Sequence, residues 1–266
     1  MQTRVMASLN GVSMHQVDPS IIVQKVTEAA PSWNVTAGSK ATLIGQRYGG
    51  TERRYREVQI AFAIAEMRNL QSRETVLQKV AFWAAEGGAL TLSYRPGQWL
   101  FVVCASLPAV NGIDAWAENY TITLRAYDKP YWENAAETTV TKTGATASIS
   151  MNMANISTDW SKLQIRAVNS SGSVCNTLQV TANGETFKMA GLGLANGETF
   201  EMDYDDQDIQ RIRIKSSGGV YRSALAKRTT DSADDLKIKP NVQNTITCSA
   251  NVSLAWTMST HGRWQG

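Results

Sequence analysis

The stretch Val58-Gln59-Ile60-Ala61-Phe62-Ala63-Ile64-Ala65 decides the fold class. Val58, Ile60, Phe62 and Ile64 recur at every second position, the spacing at which side chains leave one face of a β-strand. The other face carries Ala61, Ala63 and Ala65. A strand facing water would place polar groups there, so this face is expected to be covered too. Small side chains let another layer approach closely, either a helix of the same chain or a neighbouring subunit. Ala61, Ala63 and Ala65 are therefore the candidate oligomer-interface face.

Beyond this strand the spacing predicts one helix, over residues 73–86. Ser72 is its expected N-cap, Glu74 lies in its first turn and Gly87-Gly88 stop it. Between them Val76, Val80, Trp83 and Ala84 form one apolar stripe. Leu90-Leu92-Tyr94 then reads as a strand. Trp99 to Ala105 is apolar on both faces and reads as a central strand, and Tyr120, Ile122 and Leu124 alternate again. Residues 1–132 are thus expected to form a β-sandwich or barrel-like domain with one packed helix.

The pattern breaks at Asp128-Lys129-Pro130-Tyr131-Trp132, and a polar stretch follows. Residues 133–266 read as a second, almost wholly β domain, a sandwich. Its alternating segments are Leu163-Ile165, Leu178-Val180, Phe200-Met202, Ile212-Ile214, Leu236-Ile238 and Val252 to Met258. Ser170-Ser171-Gly172, Asn183-Gly184, Asn196-Gly197 and Ser216 to Gly219 supply the turns. The hexapeptide Ala182-Asn-Gly-Glu-Thr-Phe187 reappears as Ala195-Asn-Gly-Glu-Thr-Phe200, which predicts two similar hairpin turns in one sheet.

Composition limits the functions available. The 266 residues suit two domains of ordinary size, and 43% hydrophobic with 18% charged residues describes a globular chain. No run approaches the ~18 apolar residues of a bilayer crossing, so no membrane partner is expected. The opening residues lack the apolar core of a secretory signal. Net charge is +3 without a Lys/Arg block, which gives nucleic-acid binding little support. The three cysteines, Cys104, Cys175 and Cys248, lie far apart and form no C-x-x-C pair. Cys104 and Cys248 read as small buried hydrophobes.

A search for chemistry finds no catalytic, cofactor or metal set. His15 and His261 accompany no patterned nucleophile. Asp203, Asp205, Asp206 and Asp208 lack the spacing and glycine of a calcium loop and read as a solvated turn. Asp231, Asp234 and Asp235 are expected to be neutralised by Lys227, Arg228 and Lys237. Gly191-Leu-Gly193 precedes no helix that could hold a phosphate, and reads as hairpin glycine. Of the eight tryptophans, Trp83, Trp99 and Trp256 fall at inward positions. Trp33, Trp132, Trp160 and Trp264 lie near loops or ends. Trp33, Trp160 and Trp264 are the candidate sugar or protein contacts.

Several motifs, in their order, carry a resemblance. They are Leu9-Asn10-Gly11-Val12, Arg54-x-Arg56 before the long strand, and Trp83-Ala-Ala-Glu-Gly87. Then come Leu90-Thr-Leu-Ser-Tyr-Arg-Pro96, Leu107-Pro108 and Ala126-Tyr-Asp-Lys-Pro-Tyr-Trp132. On these the first half resembles the N-terminal domain of the distal tail proteins of long-tailed phages, the siphovirus tail-component family. The second half is similar to the same family's galectin-like or carbohydrate-binding-module-like sandwich through Gly197-Glu198, Asp234-Asp235-Leu236 with Pro240 and Asn244, and Gly262-Arg263-Trp264. Asn241 stands where the family usually has glycine, and asparagine also tolerates positive φ.

The resemblance implies a structural virion protein at the tail tip, made in the bacterial host cytoplasm. It would form a homohexameric ring, single or stacked, between the tail tube protein and a tail-tip hub or tail-associated fibre protein. DNA would meet it only in transit through the centre, and no cofactor is implied. A carbohydrate-binding module for host-surface adhesion and a cell-wall hydrolase are the alternatives.

Overall fold

The computed structural model describes residues 5–38, 47–53, 55–65, 70–108, 120–144, 149–205 and 207–264. The chain is mainly β and divides into two compact units, Met1–Glu133 with Gln265–Gly266, and Asn134–Trp264.

The first unit contains β1 (Ala7–Leu9), β2 (Val12–Ser13), helix α1 (Met14–Val17), β3 (Ile21–Glu28), β4 (Trp33–Gly38), β5 (Arg47–Arg53) and β6 (Arg56–Ile64). Helix α2 (Leu70–Ala85), β7 (Gly88–Leu92), β8 (Gln98–Ser106), β9 (Tyr120–Ala126) and β10 (Trp132–Asn134) follow. Its sheet runs β2-β1-β7-β8-β9-β6-β3, while β4 and β5 pair with each other. β6 lies between β3 and β9, with Val58 opposite Leu124, Ile60 opposite Ile122 and Phe62 opposite Tyr120. Val58, Ile60 and Phe62 are wholly buried, as the period-two pattern requires. Full burial of each such side chain is worth roughly 1.5–3 kcal/mol.

β8 carries the sheet from β7 to β9, with a register irregularity between Cys104 and Ser106. Its burial alternates: Leu100 and Val102 are inside, whereas Val103 is 40% exposed. It is central in the sheet, but only one face is fully covered, which corrects the expectation of two apolar faces. Cys104 is in step with Leu100 and Val102 but sits at the register irregularity, and it is only half-buried, which corrects the expectation of a buried hydrophobe.

Helix α2 begins by Leu70, so Ser72 is an interior residue and not the N-cap. Val76, Leu77, Val80 and Ala84 form its buried stripe. Trp83 is only half-buried and donates its indole N–H to the Val12 carbonyl at 2.9 Å. Trp99 is half-buried too, with the Lys129 ammonium 5.8 Å from its ring centre. Both rings thus sit at the edge of the core, each with a polar or cationic neighbour. The short helix α1 escaped the periodicity because it is a single turn. It carries a capping box in which Ser13 and Gln16 satisfy each other's backbone.

The end of α2 is where two of the resembling motifs meet. Asn10 donates to the Gly87 carbonyl at 3.0 Å and accepts from the Ala89 amide at 2.9 Å. Gly87 has φ +64°, and a Cβ there would stand 2.5 Å from the Val102 carbonyl oxygen. Only glycine allows this turn and this close approach of α2 to β8.

The second unit contains β11 (Thr138–Gly144), β12 (Ile149–Asn155), β13 (Ser161–Lys162), β14 (Gln164–Asn169), β15 (Cys175–Ala182), β16 (Glu185–Leu194) and β17 (Thr199–Tyr204). It continues with β18 (Gln210–Lys215), β19 (Tyr221–Ser223), β20 (Lys237–Ile238), β21 (Val242–Ala250), β22 (Leu254–Thr260) and β23 (Arg263–Trp264). A six-stranded sheet, β11-β22-β14-β17-β18-β19, and a four-stranded sheet, β12-β21-β15-β16, enclose one core. Met153, Val180, Phe187, Phe200, Met202, Trp256 and Met258 lie wholly or almost wholly within it.

The two identical hexapeptides fold differently. The first makes the β15–β16 hairpin, with Asn183 at φ 53° and Gly184 at φ 88°. The second carries the chain from β16 in one sheet to β17 in the other, and only Gly197 of its turn pair has positive φ. The expectation of two hairpins in one sheet is therefore corrected. Asn183 is held by donating to the Lys237 carbonyl at 2.8 Å and to Asn244 Oδ1 at 3.0 Å. Asn196 instead accepts from the Gly172 amide at 3.0 Å. Tertiary partners, not the local sequence, choose the turn type. The closing phenylalanines then meet in the core, Phe187 and Phe200 lying 6.2 Å apart.

Gly191 and Gly193, with φ 61° and 63°, also belong to no hairpin. They lie inside β16, where its pairing with β15 shifts from Thr177–Ala190 to Cys175–Leu194. Here the glycines build a strand irregularity. Asn241 has φ 53°, so the turn expected to tolerate asparagine in place of glycine does so.

Candidate assembly surface

The face of β6 opposite its buried residues is the sequence's candidate interface. Ala61, Ala63 and Ala65 are half-buried, and Gln59 on the same face is exposed. On neighbouring β9, Thr121 stands opposite Ala61, Thr123 opposite Gln59 and Arg125 opposite Glu57. Arg125 Nε donates to the Glu57 carboxylate at 2.9 Å, and its guanidinium lies 4.7 Å from the Tyr55 ring centre. The exposed end of this face is therefore charged but internally neutralised. Its middle is small on β6 and β9, with alanine and threonine side chains, while β3 sets Lys25 opposite Ala61 and Ile22 opposite Ala63.

A buried charge node that sequence reading missed ties this sheet together. Arg56 begins β6 on the inward side, in step with Val58, Ile60 and Phe62, and is 1% exposed. A buried cation needs an acid, and Glu28 of β3 supplies it, Oε2 lying 3.7 Å from the Arg56 guanidinium. Glu28 also accepts from Tyr94 OH at 2.7 Å, Arg95 Nε at 2.9 Å and Trp132 Nε1 at 2.8 Å. Arg56 Nε donates to the Pro130 carbonyl at 3.2 Å, and the Arg95 guanidinium lies 5.0 Å from the Trp132 ring. Burial works to raise the Glu28 carboxyl pKa. The Arg95 and Tyr94 hydrogen bonds outweigh it, so the group is held below the usual carboxylate range.

Three of the resembling motifs, those containing Arg56, Tyr94-Arg95 and Pro130 to Trp132, thus converge on one carboxylate. Trp132 is wholly buried and not a loop contact. The available signal was parity: an arginine in phase with a buried apolar row demands an internal partner.

The remaining candidate residues do not assemble into one place. The side chain of Trp33 lies outside the described residues, as do Asp206 and Arg54. Trp160 is 43% exposed in the loop before β13. Trp264 is half-buried in β23 and donates to Asn134 Oδ1 at 2.8 Å. His15 is exposed on α1. His261 lies between the Asn134 carbonyl, 2.8 Å away, and the Glu137 carboxylate, 3.2 Å away.

The acidic groups are occupied structurally. Asp203 pairs with Arg211 and Arg213, at 2.9 and 2.7 Å. Asp205 accepts the Gln207 and Ile209 amides of its own turn. Asp208 is gripped by Lys162 at 3.0 Å and Arg263 at 2.7 Å. In the second group Arg228 neutralises Asp234, as its position in sequence suggests. Asp231 and Asp235 instead pair with Lys188 and Lys162, strand residues far away in the chain. Among the described residues no cluster of three or more His, Cys, Asp or Glu could hold a metal ion.

No protein-family model and no curated protein matches this sequence. Solved structures do. The SPP1 Dit protein, described as a paradigm of the hub adsorption apparatus in phages infecting Gram-positive bacteria, superposes with a TM-score of 0.71 at 15% identity. The match covers 97% of this chain and 99% of that one. A chain of the phage P2 baseplate in its activated, calcium-bound conformation matches with a TM-score of 0.49 at 7% identity, over 98% of both chains. The chain therefore has the fold of a phage distal tail protein, as the motif order implied.

Proposed function

We propose that this protein is a distal tail protein of a long-tailed phage, a non-enzymatic ring element joining tail tube to tail-tip hub. The observation that carries this reading is the likeness to SPP1 Dit, which covers 97% of this chain and 99% of that one. The coincidence of fold-determining residues supports it. Asn10, Gly87, Arg56, Arg95 and Trp132, chosen from sequence as carriers of the resemblance, are the residues that lock the first unit.

The mechanism is geometric. One surface of each subunit mates with a different surface of the next, and the rotation closes after six copies around a channel wide enough for DNA. The Ala61 and Ala63 side of β6 is suited to such a contact, since small residues permit close backbone approach. Light scattering on the purified full chain tests the reading, together with negative-stain images. A mass of six or twelve copies with a central hole is expected. A monomer at high concentration that is also missing from virions would overturn it.

A further inference from the structure

Two loops of the second unit are pinned by buried side chains and carry exposed apolar ones. Asn155, 2% exposed, donates to the Ile238 carbonyl at 3.2 Å and reaches the Asp159 carbonyl and Ser161 Oγ. Asn244, also 2% exposed, accepts from the Lys239 amide at 2.7 Å and donates to the Lys239 and Val242 carbonyls. The Asn241 amide donates to the Asn155 carbonyl at 2.7 Å, joining the two loops. Asn155 stands opposite Val242 in register, and Ser161 opposite Ile238. Trp160 and Lys239 are the next residues outward, and the Lys239 ammonium lies 6.0 Å from the indole centre.

What these loops present is apolar. Ile156 is 67% exposed, Val242 48% and Trp160 43%. Exposed large hydrophobics grouped on rigid loops are unusual on a surface that meets only water. Because the loops are already ordered, a partner would not have to freeze them.

We infer that Ile156, Trp160 and Val242, rimmed by Lys239 and Lys237, form a docking site for an acidic, aromatic or aliphatic segment of another protein. Charge selects that partner. Lys237 and Lys239 are exposed, and among the described residues neither pairs with a carboxylate, while Asp208 and Asp235 are taken up by Lys162 and Arg263. The rim is thus positive. The flanks argue for protein over sugar: a glycan platform needs hydrogen-bonding groups around its aromatic ring, whereas the large exposed side chains of the two joined loops are Ile156 and Val242. The polar groups of Asn155 and Asn244 are buried and spent on backbone and side-chain partners within the unit. The inference rests on the structural-protein reading and adds a second contact surface to it.

The test uses the full-length protein and an immobilised random copolymer of glutamate and tyrosine, with a lysine–tyrosine copolymer and neutral oligosaccharides in parallel. The glutamate–tyrosine polymer is expected to bind. Trp160→Ala and Lys239→Glu should each weaken that binding about tenfold or more, an amount ordinary for a central interface residue. Tyr221→Ala, elsewhere on the same unit, should leave it unchanged. Absence of wild-type binding, binding indifferent to both Trp160→Ala and Lys239→Glu, or Trp160-dependent binding of neutral oligosaccharides instead would each overturn the inference. Lys239→Glu changes only an exposed side chain, so a folding defect in Trp160→Ala does not remove the test. Light scattering of the same samples separates the two readings, since copolymer binding by a monomer defeats the ring and not the patch.

Discussion

The indole N–H of Trp132 donates to the carboxylate of Glu28 at 2.8 Å, across 104 residues of chain. That bond ties the last strand of the first unit to β3. The same carboxylate faces Arg56 and Arg95, so two cations share one acid in a site closed to water on the Arg56 side.

Glu28→Gln keeps the shape of this node and removes the negative charge that faces buried Arg56. Breaking a buried pair from one side costs about 3 kcal/mol or more. The unfolding free energy from urea titration should fall by that amount, and Glu28→Gln combined with Arg56→Met should recover much of the loss. A single mutant as stable as the parent would show that the node contributes shape alone.

Acid should destabilise the first unit through two carboxylates. The Asp18 carboxyl is lowered to about 2 by hydrogen bonds from Lys79 and Ser20, and Glu28 is lowered as described above. A depressed folded-state pKa gives stability that is present above the unfolded value and lost as pH falls through the folded one. For Asp18 the window runs from about 4 down to about 2. Because Lys79 is half exposed, screening limits the Asp18 share to about 1 kcal/mol. Thermal melts of Asp18→Asn across this window should show a shallower acid dependence than the parent; an unchanged slope would remove Asp18 from the account.

Gly87 and Gly97 separate strain from collision. Both have positive φ, but a Cβ at Gly97 meets nothing within 4 Å, while at Gly87 it meets the Val102 backbone. Gly97→Ala should cost about 1 kcal/mol, the ordinary left-handed penalty. Gly87→Ala should cost at least twice that, because β8 must move. Equal losses in a denaturation series would mean that α2 and β8 have slack between them.

Ala63→Glu places a charge on the proposed mating side of β6, opposite Ile22 in register. Far-ultraviolet circular dichroism should stay that of the parent while the assembly loses mass. A variant that still forms rings of the original size would move the subunit contact elsewhere.

Alternation made most of this fold legible. Val58, Ile60 and Phe62, or Leu254 to Met258, announce their strands because a half-buried strand repeats every two residues whatever lies around it. Asn241 announced its turn because few residues accept positive φ. The carboxylate Glu28 gave no such notice, since its partners come from three separate segments, and the boundary of α2 was misplaced because Ser72 caps helices only when it begins one.

Local chemistry decided which segments extend, which curl and where glycine is unavoidable, because those preferences belong to each residue and its nearest neighbours. Tertiary structure alone decided that one Ala-Asn-Gly-Glu-Thr-Phe closes a hairpin and the other crosses between sheets. The two turns differ by little in intrinsic energy, so hydrogen bonds from Asn183 to Lys237 and Asn244, and from Gly172 to Asn196, were enough to choose. The same holds for Trp132 and Trp160, one sealed against Glu28 and one open beside Lys239: neither lies in an alternating apolar row, and only the surrounding fold determines which indole meets water.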